Sequence, residues 1–125
     1  MKPTMLVVDD EPLVRMDIVG MAQEQGYQTV EAASAHQALA ILEARDDIRV
    51  VLTDIRMPGA MDGIQLAHAV RDRWPPTIIV ICSGNMEPAE EDLPLNVAFF
   101  SKPVDVTRLA TFLAGIQEQL STRPE

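Results

Sequence analysis

Apolar and β-branched residues gather in four short continuous runs, "MLVV" (5–8), "VVLT" (50–53), "IIVIC" (78–82) and "VAFF" (97–100). Continuity without polar alternation predicts strands covered on both faces, as in a parallel sheet. A weaker run, "YQTVEA" (27–32), alternates and predicts an edge strand. The stretches between repeat at helical spacing. Pro12 stands at a first-turn position, Val14, Ile18 and Met21 share one face, and Gly26 marks a stop. "SAHQ" (34–37) matches a capping box before Ala38, Ile41 and Leu42, and "DGIQ" (62–65) offers a similar start before Leu66, Ala67 and Val70. Asp105 can cap a last helix whose seam is Val106, Leu109, Leu113, Ile116 and Leu120, with Phe112 off that seam and expected to be exposed.

The order βαβαβαβ(α)βα predicts an α/β domain, a doubly wound five-stranded parallel sheet with helices on both faces. The bracketed fourth helix is expected to be short or irregular. Pro88 and Pro94 bracket only five residues, and a proline disfavours helical backbone at the residue before it. In such sheets ligands bind beyond the carboxyl ends of the strands, where the strand order switches.

Composition narrows the function. The 125 residues fit one domain, 1–125 with a core of about 4–120, and no second domain is expected. A 47% hydrophobic fraction with a single cysteine, Cys82, gives no disulfide framework and predicts a cytoplasmic protein with an inert core thiol. No apolar run is long enough to span a membrane. The net charge of −9 repels phosphate backbones, so direct nucleic-acid binding is not expected.

The chemistry collects at strand ends. Asp9 and Asp10 follow the first run, Asp54 ends the third strand, Ser83 follows the fourth and Lys102 follows the fifth. Taken singly, the paired acids could merely cap a helix, Ser83 could close a turn, and Lys102 could lie in a solvated loop. His36 and His68 have no partner ligands at metal spacing and are expected at the surface. Taken together, three carboxylates at one sheet edge repel one another, a cost that a cation relieves. Few and hard oxygen ligands suit Mg²⁺. A metal, an ammonium and a hydroxyl around one carboxylate would clamp the three equatorial oxygens of a transferring phosphoryl group, with Asp54 as nucleophile.

The set "VVDDE", "LTDIRMPGAMDG", a hydroxyl residue after strand four and "SKP" after strand five resembles the receiver domain of two-component response regulators. The resemblance implies the flavodoxin-like strand order 2-1-3-4-5. It implies a phosphoacceptor signalling protein, not a conventional enzyme, that takes a phosphoryl group onto Asp54 from a sensor histidine kinase or a histidine phosphotransfer protein. It also implies Mg²⁺ held by Asp10, Asp54 and the backbone carbonyl of Arg56, with Asp9 acting through water. Lys102 and Ser83 would contact the phosphoryl group, Ser83 moving toward it as Phe99 changes rotamer. A stand-alone receiver would act on an unknown output protein as a monomer or a weak phosphorylation-dependent dimer. Three features depart from the usual pattern: one extra residue in "MPGAMDG", phenylalanine in place of tyrosine at 99, and a short interval between Ser83 and Lys102. A flavodoxin would need a glycine- and hydroxyl-rich phosphate loop where "DDEP" stands. A haloacid-dehalogenase-type phosphohydrolase would need its nucleophile at the first strand in a D-x-D pattern. A receiver-shaped module that binds a partner without switching is the remaining alternative.

Overall fold

Strand β1 (Thr4–Val8) is buried along its whole length as an interior strand of the sheet. The computed structural model describes residues 2–57, 59–84, 90–94, 97–101 and 106–122. After β1 come α1 (Pro12–Glu24), β2 (Gln28–Ala32), α2 (Ala35–Ala44), β3 (Ile48–Thr53), α3 (Gly63–Arg73), β4 (Ile78–Ser83), a single 3₁₀ turn (Glu90–Asp92), β5 (Val97–Ser101) and α4 (Val106–Thr122). The strands form one parallel sheet in the order β2-β1-β3-β4-β5.

Alternate strand residues point to opposite faces, and two separate cores result. Leu6, Val8, Val51, Ile79 and Ile81 pack with Ala38 and Leu42 of α2 and with Leu66 and Val70 of α3. Met5, Val7, Val50, Leu52, Val80 and Cys82 pack with Ile18 and Met21 of α1 and with Leu109, Leu113 and Ile116 of α4. The continuous runs are therefore continuous because each face has its own pair of helices to bury against.

Helix boundaries follow local chemistry. Gly26 adopts φ +95°, and the N–H groups of Gly26 and Tyr27 donate to the carbonyls of Gln23 and Ala22 (both 3.1 Å), the paired bonds of a glycine-terminated helix. "DGIQ" forms the full capping box at α3: Gln65 N–H donates to Asp62 Oδ1 and Asp62 N–H to Gln65 Oε1, both at 2.9 Å. "SAHQ" forms half of one. Gln37 N–H donates to Ser34 Oγ, but the Gln37 side chain accepts from Ala33 N–H, one residue too early.

Four expectations are revised or fall outside the described residues. The run 50–53 extends back to Ile48 across a register shift that leaves Arg49 without a partner in β1. Strand β5 is covered only partly: Val97 and Phe99 pack on the first core and Ala98 and Phe100 on the second, but as the last strand it has one neighbour and all four are half-buried. Phe112 is not exposed but packs edge-on against Phe100, ring centroids 5.5 Å apart, adding to the second core. The Asp105 cap lies outside the described residues, as does most of the segment 84–96, whose described part holds one 3₁₀ turn. Among the described residues no helix is long and apolar enough to cross a membrane.

Candidate functional site

The chain leaves β1 toward one side of the sheet and β3 toward the other, so a crevice opens between their carboxyl ends. Val8 pairs with Thr53, and the next residue on each strand is an aspartate. Asp54 N–H donates to the Val8 carbonyl and Asp9 N–H to the Ala32 carbonyl, both at 3.1 Å, so each acid is still tied to the sheet where it emerges. Both are buried, Asp54 to 8% exposure and Asp9 to 1%. The Asp54 carboxylate accepts the Ile55 N–H at 2.7 Å, and the Asp9 carboxylate accepts the Glu11 N–H at 2.9 Å. Asp10 and Glu11 are exposed on the loop above.

One carboxylate oxygen from each of Asp9, Asp10, Glu11 and Asp54 lies within 4.8 Å of the others. Four formal negative charges in that space need compensation, and carboxylates are seldom buried unless paired or ligating a metal. The donors are hard oxygens without imidazole or thiolate, which suits a small divalent cation such as Mg²⁺ better than zinc. An open depression beside the cluster is lined by Asp10, Ile55, Arg56, Met57 and Asp62. Arg56 is exposed.

Ser83 is buried at the end of β4, opposite Ser101 of β5, and Phe99 is half-buried on β5 opposite Ile81. Cys82 lies in the core beside Ser83. Asp9, Asp10, Asp54 and Ser83 thus stand at the same edge of the sheet, while Lys102 lies outside the described residues. Both histidines are exposed, and His68 Nε2 lies 2.8 Å from the Asp92 carbonyl, linking α3 to the 3₁₀ turn.

Three residues of the site escaped the sequence reading. Glu11 joins the carboxylate cluster, a role visible only as the third acid of "DDE". Gly63 begins α3 directly beneath the Asp54 peptide: its N–H donates to the Ile55 carbonyl at 2.7 Å, and a Cβ there would overlap the Asp54 carbonyl oxygen. Arg15 of α1 donates from Nη1 to the Asp9 carbonyl at 2.7 Å and from Nε to Glu31 Oε1 at 2.9 Å.

Comparison with known proteins agrees with this geometry. A family model described as the response regulator receiver domain matches residues 5–114. Sensor kinase CckA of Brucella abortus is 36% identical over 120 residues, covering 93% of this chain and 13% of that protein. Sporulation initiation phosphotransferase F of Bacillus subtilis is 33% identical over 113 residues, covering 87% of this chain and 89% of that protein. The chain spans only 13% to 44% of the CckA and Pseudomonas aeruginosa alginate-regulator relatives. The receiver domain of hybrid histidine kinase CckA superposes with a TM-score of 0.74 at 30% identity, covering 94% of this chain and 98% of that one. A CheY-like receiver protein from Methanospirillum hungatei gives 0.83 at 22% identity, covering 97% and 98%, a likeness of fold.

Proposed function

The chain belongs to the response regulator receiver domain family, and from that premise we propose that Asp54 accepts a phosphoryl group from a sensor histidine kinase or a histidine phosphotransfer protein. The observation that carries this reading is the buried Asp54 carboxylate at a strand end within a cluster of three further carboxylates. Asp10, Asp54 and the Arg56 backbone carbonyl would hold Mg²⁺, with Asp9 acting through water. When bound, that ion offsets the carboxylate charge and gives the incoming phosphoryl oxygens a positive counterpart.

The protein's own part is positioning. Ile55 N–H donates to Asp54 Oδ1, which orients the carboxylate whose oxygen is the attacking atom. That oxygen attacks phosphorus, the phosphorus–nitrogen bond of a phosphohistidine breaks, and the departing imidazole keeps the electron pair and takes up a proton. Ser83 and Lys102 would then contact the transferred group, and Phe99 would repack as Ser83 moves. Leu13 and Met16, 78% and 61% exposed on the early turns of α1, offer apolar surface beside the acidic loop for the donor protein to cover. The output is a protein contact or onward transfer of the phosphoryl group, in the cytoplasm.

The test uses acetyl phosphate with Mg²⁺. Intact mass should show one added phosphoryl group on the wild type and none on Asp54→Asn. Equal labelling of the variant would sink the assignment, and a wild type that never labels would favour the constitutive binding module.

A further inference from the structure

The acidic loop is held from outside the acidic cluster. Arg15, one turn into α1, divides its guanidinium between two elements: Nη1 binds the Asp9 carbonyl at 2.7 Å, and Nε binds Glu31 on β2 at 2.9 Å. The Arg15 side chain is 18% exposed and the Glu31 side chain 48%. Solvated ion pairs of this kind add little to folding stability. The contact to Asp9 is different in kind, because it fixes the backbone from which the Asp9 and Asp10 carboxylates project. Asp9 is then tied through its N–H to Ala32, through its carbonyl to Arg15 and through its carboxylate to Glu11.

We propose that Arg15 is a positioning residue for the divalent-cation site, clamping the Asp9–Asp10 backbone to the β2 edge through Glu31 so that the loop carboxylates stay gathered. This rests on the reading of the carboxylate cluster as a Mg²⁺ site. The guanidinium fork is essential to it. A planar group with separate donors on Nε and Nη1 spans a carbonyl and a carboxylate at once, whereas a lysine ammonium supplies the same charge from a single atom. Outer partners of metal ligands set affinity in this way, by holding ligands that would otherwise wander.

Calorimetric Mg²⁺ titration of the full chain, together with the rate of labelling by acetyl phosphate as Mg²⁺ is raised, tests the assignment. Arg15→Ala should raise the Mg²⁺ dissociation constant about tenfold or more, while labelling at saturating Mg²⁺ returns to the wild-type rate and the metal-free melting temperature moves by a few degrees at most. Arg15→Lys should stay closer to Arg15→Ala than to the wild type, and Glu31→Ala should fall between. Unchanged affinity in Arg15→Ala, full rescue by lysine, or a labelling rate that stays low at saturating Mg²⁺ would each overturn the clamp. A wild type that takes up no Mg²⁺ would instead overturn the reading of the cluster itself.

Discussion

At position 63 the backbone of α3 approaches the Asp54 peptide so closely that no side chain fits. A Cβ would stand 2.7 Å from the Asp54 carbonyl carbon and 2.8 Å from Ile55 Cα, and neither can move aside by changing rotamer. Two effects of Gly63→Ala oppose each other. Alanine favours the helix by up to about 1 kcal/mol, while overpacking against fixed backbone costs about 1–3 kcal/mol. The clash is with main chain, so the cost wins: urea unfolding should show a net loss of about 1–2 kcal/mol, with slower labelling of Asp54. A variant as stable as the wild type would mean that the approach is looser than described. The aspartates were legible in the sequence because strand ends and acids are both local signals. Gly63 and Arg15 were not, because one depends on a tertiary approach and the other on a side chain bridging residues in different elements.

Beyond the two cores, specific polar contacts join the elements. Tyr27, directly after the glycine that ends α1, is fully buried and donates its hydroxyl to the Leu113 carbonyl of α4 at 2.7 Å, across 86 residues of chain. Burial pushes the phenol up to about 12 from its usual 10.0. The native state therefore holds this proton more tightly than the unfolded chain does. The resulting stability is fully present below pH 10 and is lost as pH rises toward 12, by on the order of 2–3 kcal/mol. Tyr27→Phe should cost about 1 kcal/mol at neutral pH and flatten the decline between pH 10 and 12, as followed by urea unfolding at each pH. An equally steep decline in the variant would place the alkaline transition elsewhere. Periodicity read the helices and the order of elements along the chain well, since apolar spacing is a local record of what each element buries. It misjudged Phe112 and β5, because their surroundings depend on which strand ends up last in the sheet.

Across the whole molecule, the strand that carries Asp54 is central, and the two sides of it differ. Toward β1 and β2 the acids are tied by main-chain bonds and by the Arg15–Glu31 bridge, and β1 is buried throughout. Toward β5 the strand is half-buried, and the 3₁₀ turn touches α3 through His68 and the first core through Leu93. Both edge strands, β2 and β5, are only partly buried, so the difference lies in what ties them: the Arg15–Glu31 bridge on one side and, among the described residues, a single 3₁₀ turn on the other. With beryllofluoride as a phosphoryl mimic, amide hydrogen exchange should slow at residues 90–94 and 97–101 while β1 and β3 barely change. Equal protection of both regions, indifferent to the mimic, would mean that the soft side plays no part. The single 3₁₀ turn in the described residues 90–94 is what the Pro88–Pro94 spacing predicts, whereas nothing local foretold the bridge that ties the β2 edge.

That gradient gives the molecule two kinds of edge. Under the proposed function, a partner resting on β5 would read whether Asp54 carries a phosphoryl group, because the surface it touches is the one expected to rearrange. A partner resting on β2 would meet the surface that the Arg15–Glu31 bridge braces against the same event, and would be blind to it. One edge can recruit continuously while the other reports, so a single small sheet can keep the address of a message separate from its content.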